Sequence, residues 1–324
     1  MNATEDDGVS RSVPLPGWLA VSGAVVVGAL TALQARANGQ LGVRIDDGFT
    51  AAFISFGSGF AILVVLSLVF PAGRRGAATL LRGVRTGGIP WWMLAGGAAG
   101  ALTVATQGLA VGLIGVSLFT VGVVAGQTLA GLVLDRIGYG PGGAVAVTIP
   151  RVVGGALALG AVTISLSGGG VGGIPWWMLT LPFFAGAGIS WQQATNGRLR
   201  QRVGTPLTAT LVNFAGGTLV LAVAAAIRIA FAGRPDPLPA EAWLYTGGAL
   251  GVVYIFLSAA LVQYTGVLLF GLGSVVGQLV TSVLLDAVWP APASPGIVQE
   301  SLMVSVALIS VVVAAAPWRR RRRR

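Results

Sequence analysis

The sequence predicts an all-α polytopic membrane protein, with ten transmembrane helices arranged as two inverted five-helix repeats. Three observations lead there. Of the 324 residues, 55% are hydrophobic and only 9% charged, too few polar groups to cover a soluble globule. Uncharged apolar runs recur along the chain, among them 49–70 and 113–134, and each exceeds the roughly 18 residues that a helical crossing needs. Finally, the stretch Gly126, Gln127 to Leu134, Asp135 returns as Gly277, Gln278 to Leu285, Asp286 at an offset of 151.

Taken in order, the predicted spans are 18–35, 49–70, 91–111, 113–134, 151–167, 176–195, 206–230, 243–263, 266–288 and 301–316. Five fall on either side of the glycine-rich joint Gly168–Gly173. The expected plan is an N-terminal tail (1–17), a first repeat (18–167), a linker (168–175), a second repeat (176–316) and a poly-Arg tail (317–324). Trp18, Gln34, Asn38, Gly39 and Leu41 match Trp176, Gln192, Asn196, Gly197 and Leu199 at an offset of 158. Trp92, Gly96, Gly100 and Gly115 match Trp243, Gly247, Gly251 and Gly266 at 151, which leaves about seven extra residues in the first repeat's loop after its second span. An odd number of spans per repeat makes the two halves cross the bilayer in opposite senses.

With the N-terminus inside, the inner segments carry sixteen of the twenty arginines. Retained positive charge marks the cytoplasmic side, so both termini are expected there. The octapeptide GGIPWWML occurs twice, at 87–94 and 172–179, before spans that are not equivalent in the repeat; Pro and Trp suit any span entry.

The absences narrow the chemistry. Without Cys there is no disulfide, thiolate or thiolate metal site, and without His the commonest metal ligand is gone. Every basic residue is Arg, so a Walker A loop, which needs Lys, is excluded. No metal, cofactor or enzymatic centre is expected, since hydrolytic or transfer chemistry would want His, Cys, paired carboxylates or a metal cluster in the core. The net charge of +10 owes much to Arg319–Arg324, read as an anchor to anionic lipid headgroups and not as a nucleic-acid surface. Glu5, Asp6 and Asp7 stand where a cleaved signal peptide would have a basic region.

Candidate site residues are polar groups inside apolar spans. Gln127 and Gln278 each precede an Asp by eight residues, about 12 Å along a helix. If Asp135 and Asp286 mark the edge of the bilayer core at the water boundary, the two amides lie near the midplane. They either hydrogen-bond between helices or line a shared central cavity. Gln34 with Asn38 and Gln192 with Asn196 are i, i+4 pairs in which Asn-Gly could end a helix and Gln could face the cavity. Gln107, Asn213 and Gln263 lack a clean counterpart in the other half and serve either as interhelical glue or as substrate contacts. Trp191 is placed in a pocket, and the other tryptophans in the interfacial belt. The steps Gly96–Gly100, Gly122–Gly126, Gly247–Gly251 and Gly273–Gly277 read as close helix packing. Asp135 and Asp286 are the only acidic residues available for ion coupling near the fourth and ninth spans.

With Val124, Ala125, Gly126, Gln127 and Gly131 to Asp135, and with the Gln34–Asn38 region, the chain resembles the drug/metabolite transporter superfamily, in particular its YdcZ-like, EamA-related branch in a fused, duplicated form. The resemblance covers nearly the whole chain after residue 15. It implies a bacterial inner-membrane exporter or facilitator of small molecules. Small multidrug exporters of that superfamily exchange protons for cations through a Glu on the first helix; no acidic residue occurs in the first or sixth span here, which weakens the transfer of that chemistry.

The expected function is therefore alternating-access transport of a neutral or zwitterionic metabolite or drug through a midplane site between the repeats, with pairing to a second copy left open. The competing class is a non-transporting membrane scaffold or a lipid-binding or lipid-flipping protein.

Overall fold

Runs of alanine, leucine and valine without charge leave the backbone one way to satisfy its polar groups in lipid, the hydrogen bonds of a helix. The structure, a computed structural model, describes residues 17–140, 143–144, 146–166, 175–292 and 296–315. The side chains of 17–18, 20–21, 165–166, 259, 262–272 and 314–315 fall outside the description. So do the Gly168–Gly173 joint, Arg319–Arg324 and the side chain of Gln263.

The described residues are all-helical, with no strand. The elements are α1 (Gly17–Arg44), α2 (Gly48–Val69), α3 (Pro71–Arg85), a 3-10 turn (Trp91–Leu94), α4 (Gly96–Thr106), a π turn (Gln107–Val111) and a short α5 (Gly112–Ile114). They continue with α6 (Val116–Arg136), α7 (Ile149–Leu166), α8 (Trp176–Val203), α9 (Pro206–Ala232), a 3-10 turn (Ala242–Tyr245), α10 (Gly247–Val288) and α11 (Ile297–Ala315). Four stretches are long and apolar enough to cross a membrane: Gly48–Val69, Trp91–Ile114, Val116–Arg136 and Pro206–Ala232. Ile149–Ile164, Gly247–Ser258, Gly273–Val288 and Ile297–Val313 are shorter apolar helices. The chain is a polytopic membrane protein.

Caps fix the helix starts. Asp47 Oδ1 accepts from the Phe49 and Thr50 backbone N–H at 3.0 Å each, and Thr205 Oγ1 accepts from Leu207 N–H at 3.2 Å before the proline that opens α9. These two caps are themselves 158 residues apart.

Helix packing pairs α1 with α10, α6 with α8, α2 with α9 and α7 with α11. The glycines explain how closely. A Cβ on Gly28 of α1 would collide with Ser274 O and stand 2.6 Å from Gln278 N; one on Gly186 of α8 would collide with Val123 O and stand 2.9 Å from Gln127 N. Residues 158 apart (28 and 186) thus meet residues 151 apart (123 and 274, 127 and 278). Gly277 against Val25 O and Gly126 against Phe183 O repeat the correspondence. Gly122, Gly126 and Gly277, read as packing devices, do meet a neighbouring helix this closely.

Four expectations need correction. Asn38-Gly39 and Asn196-Gly197 do not end their helices: α1 and α8 run on to Arg44 and Val203. Gly39 is needed for approach, since its Cβ would lie 2.7 Å from Val111 Cβ and 2.9 Å from Gly112 N. The eighth and ninth spans are one continuous helix, α10, of 42 residues. The equivalent place in the first half is broken at Gly115 (φ 85°), and there Asp286 caps the new helix at Val116 and Ser117. Asp135, which would do the same at Gly266, binds Arg151 instead. The extra residues after the second span form a helix, α3, rather than a loop. Arg36, one of the four arginines that the count leaves to the outer segments, is buried within α1 at 8% exposure. The two GGIPWWML copies also diverge: Trp91–Leu94 makes a 3-10 turn, whereas Trp176 opens α8 directly.

Candidate transport site

Six amides gather where α1, α8 and α9 meet α4 and α10. Gln34 Nε2 donates to Gly247 O at 2.8 Å, and Asn38 Nδ2 donates to Gln107 Oε1 at 2.7 Å. Opposite, Asn213 Oδ1 accepts from Gln192 Nε2 at 2.9 Å and from Asn196 Nδ2 at 3.1 Å. Gln34, Asn38, Gln107, Gln192 and Asn213 are buried. Gln107 begins the π turn, a local widening of the helix that often accompanies function.

Glycines make room for these side chains. A Cβ on Gly251 would stand 2.5 Å from Gln34 Nε2, and a Cβ on Gly100 would stand 2.5 Å from Gln192 Nε2. The same imaginary atoms approach Phe214 Cζ (3.1 Å) and Phe56 Cζ (2.9 Å). Phe56 and Phe214 stack on each other, with ring centroids 4.7 Å apart and planes at 29°. The site is therefore two amide clusters flanking an aromatic pair.

Several polar atoms here are enclosed with no hydrogen-bond partner: Gln34 Oε1, Asn38 Oδ1, Ser55 Oγ and Asn213 Nδ2. Such an atom costs about 1–3 kcal/mol if nothing satisfies it. A group of them is what a ligand or water would fill.

The other sequence candidates lie differently. Gln278 is buried and Gln127 half-buried, and Gln127 Oε1 is enclosed without a partner. Among the described residues no hydrogen bond joins either to the amide clusters or to the other; the Gln127 backbone carbonyl accepts from Ser190 Oγ at 2.9 Å. Trp191 is half-buried beside Gln192. Trp92 is not simply a belt residue: its ring lies 5.6 Å from Tyr139, and the Arg198 guanidinium sits 5.7 Å from Trp92 and 5.0 Å from Tyr139.

The two aspartates, equivalent in sequence, have unlike surroundings. Asp135 pairs with Arg151 at 2.8 Å, partly exposed. Asp286 is enclosed by protein: it is 2% exposed and accepts from Val116 N–H at 3.0 Å and Ser117 N–H at 2.6 Å. Arg36 of α1 is buried as well, with its Nη1 enclosed and unpartnered. Asp286→Asn is accordingly expected to lower thermal stability by about 1–3 kcal/mol, because it weakens a buried charge-assisted helix cap. Asp135→Asn removes a part-exposed ion pair and costs about 1 kcal/mol or less. Melting curves of the two purified variants compare them, and equal losses would contradict the difference in role. Outside the helices, the exposed Glu241 carboxyl is held below its usual range, first by a hydrogen bond from its own backbone N–H and then by Arg44 at 2.8 Å.

Sequence reasoning misses Ser55, Phe56 and Phe214. The signal exists, since Ser55 and Phe56 match Asn213 and Phe214 at the offset of 158. Asn213 therefore does have a counterpart.

With this geometry in hand, comparison with known proteins is informative. The family model described as "Putative inner membrane exporter, YdcZ" matches residues 19–164 and again 173–313. None of the curated proteins matches. A solved structure described only as the crystal structure of a protein is similar in fold, with a TM-score of 0.52 at 20% identity, covering 92% of this chain and 96% of its own.

Proposed function

The chain belongs to the YdcZ family of inner membrane exporters, and from that premise we propose that it carries a small neutral or zwitterionic molecule through the amide and phenylalanine site by alternating access. The family is one of membrane exporters, not of enzymes. The observation that carries the reading is the set of enclosed, unpartnered polar atoms of Gln34, Asn38, Ser55 and Asn213 around the Phe56–Phe214 stack. Amides both donate and accept, and they hold polar, uncharged groups without the cost of a buried ion.

In this reading the chain is two inverted repeats related by the offsets of 158 and 151, with α10 continuous through the second. Support comes from the paired contacts of Gly28 and Gly186. Rocking of one half against the other would open the stack to alternate sides. Gln127, Gln278 and Trp191 extend the lining. Asp135 and Asp286 are the candidates for coupling. Both termini lie in the cytoplasm, as the arginine distribution supports, and a reporter fused to the C-terminus reads this directly.

The test is a thermal-shift panel of amino acids, sugars, polyamines and drugs on the purified protein, repeated with Gln34→Leu, Gln192→Leu and Gln127→Leu. A neutral or zwitterionic compound is expected to raise the melting temperature of the parent and to lose that effect in the Gln34 and Gln192 variants. A broad panel without any shift would move the weight to a scaffold, and a hit indifferent to all three substitutions would place the site elsewhere.

A further inference from the structure

Helix α3 carries a feature that transport does not use. At 100° per residue, Arg74, Arg75, Arg82 and Arg85 fall on one arc of about 100°, with Gly73, Leu80 and Val84 on the opposite side. A short helix so divided lies along a membrane surface with its arginines at headgroup level. Its buried residues are Gly73 and Gly76. A Cβ on Gly73 would stand 2.5 Å from Ser67 Cα, and one on Gly76 would collide with Thr205 and Thr208, so α3 is clamped between the end of α2 and the start of α9. Arg74 turns back to donate to the carbonyls of Leu68 and Val69, at 2.5 and 3.0 Å. Arg82 and Arg85 stay exposed, and among the described residues no carboxylate pairs with either.

Beside Arg85, with Arg82 one turn away on the same helix, α3 and α9 part to leave an open slot of about 430 Å³. Leu80, Leu81, Val84 and Leu94 wall it with Val212, Ala215 and Gly216 of α9, and Arg85 completes the lining. We propose that this slot holds one acyl chain of an anionic phospholipid, with its phosphate on Arg82 and Arg85.

Each part of that choice follows from the walls. They offer hydrocarbon and no hydrogen-bonding side chain apart from Arg85, so a polar metabolite or an extended peptide would leave its own groups unsatisfied. The slot has room for a hydrocarbon chain and not for a partner helix, whose diameter is about 10 Å or more. The bilayer supplies such chains, and the free cations at its edge select an anionic headgroup over a zwitterionic one. Between α9 and α10 the described residues form only the 3-10 turn Ala242–Tyr245, with no counterpart of α3, so no equivalent shelf stands there. With the orientation proposed above, the shelf of α3 lies at the cytoplasmic leaflet. The lipid would touch α3 on one side and α9 on the other, thereby joining segments of both halves.

The test is native mass spectrometry of the purified protein in mild detergent, incubated with equal amounts of phosphatidylglycerol and phosphatidylcholine. The parent should retain one phosphatidylglycerol in preference to phosphatidylcholine. The Arg82→Gln and Arg85→Gln substitutions should each lower that preference roughly fivefold. Ala215→Phe, which fills the slot, should reduce the retained lipid, and deletion of 319–324 should leave the preference intact. Both arginines are on the surface, and circular dichroism and monodisperse elution verify that each variant is folded. Equal retention of the two lipids by the parent overturns the proposal. So does a preference that survives both Arg substitutions and disappears with the tail, or retention unaffected by Ala215→Phe.

Discussion

Gly126→Val is expected to abolish recovery of folded protein from solubilised membranes. A Cβ there collides with Phe183 O and stands 2.8 Å from Phe183 C and 3.0 Å from Ala187 N. All three are backbone atoms, so no rotamer change relieves the clash, and α6 must move away from α8. That separation opens the cluster in which Val123 and Val124 pack with Ala185. Overpacking against side chains costs about 1–3 kcal/mol, and a clash with a neighbouring helix backbone exceeds that. Gly28→Val should fail in the same way, through Ser274 O and Gln278 N. Gly57→Ala and Gly160→Ala are the controls: a Cβ at either meets nothing within 4 Å, and alanine is the better helix former by about 1 kcal/mol. Fluorescence-detected size exclusion of the four variants reads the contrast, and a monodisperse Gly126→Val protein would contradict the packing.

Phe56→Ala is expected to cost about 3–5 kcal/mol, since the ring is 2% exposed and its partner Phe214 is 1% exposed. Phe56 also fills the space over Gly217, and Phe214 the space over Gly59, so a truncated ring leaves a void on both sides of the stack. Phe214→Ala should cost a similar amount. The double variant should lose less than the sum, because each single change already removes the stacking contact. Reversible unfolding in mixed micelles measures the cycle. Strict additivity would mean that the rings do not depend on each other.

Much of the architecture is legible in the sequence because membrane helices follow local rules. Apolar runs locate the helices, and the offsets of 158 and 151 pair Gly28 with Gly186 and Gln127 with Gln278 before any contact is known. What escapes is decided between segments distant in the chain. Asn-Gly is a local stop signal, yet α1 passes through Asn38 and Gly39, where Val111 of the π turn and Gly112 of α5 pack so closely that only glycine fits. Asp135 and Asp286 sit in like sequences, but one has Arg151 within reach and the other the open N-terminus of α6. The continuity of α10 likewise turns on whether a carboxylate from elsewhere caps a break. For the site, Gln34, Gln107, Gln192 and Asn213 are legible as polar residues in apolar spans. The arrangement of Gln34 and Gln192 around stacked phenylalanines requires the interdigitation of α2 with α9, which no single helix encodes.

The proposed alternating access requires a buried site that opens to both sides in turn. The chain has no cysteine, so Ser55→Cys places a single thiol beside Asn38 and Gly247, at a position 3% exposed whose hydroxyl has no partner. Labelling with a membrane-impermeant maleimide in right-side-out and in inverted vesicles asks which faces reach it. Alternating access predicts reaction from both faces, slowed in each case by a bound compound. A thiol reached from only one face, or from neither, would contradict it.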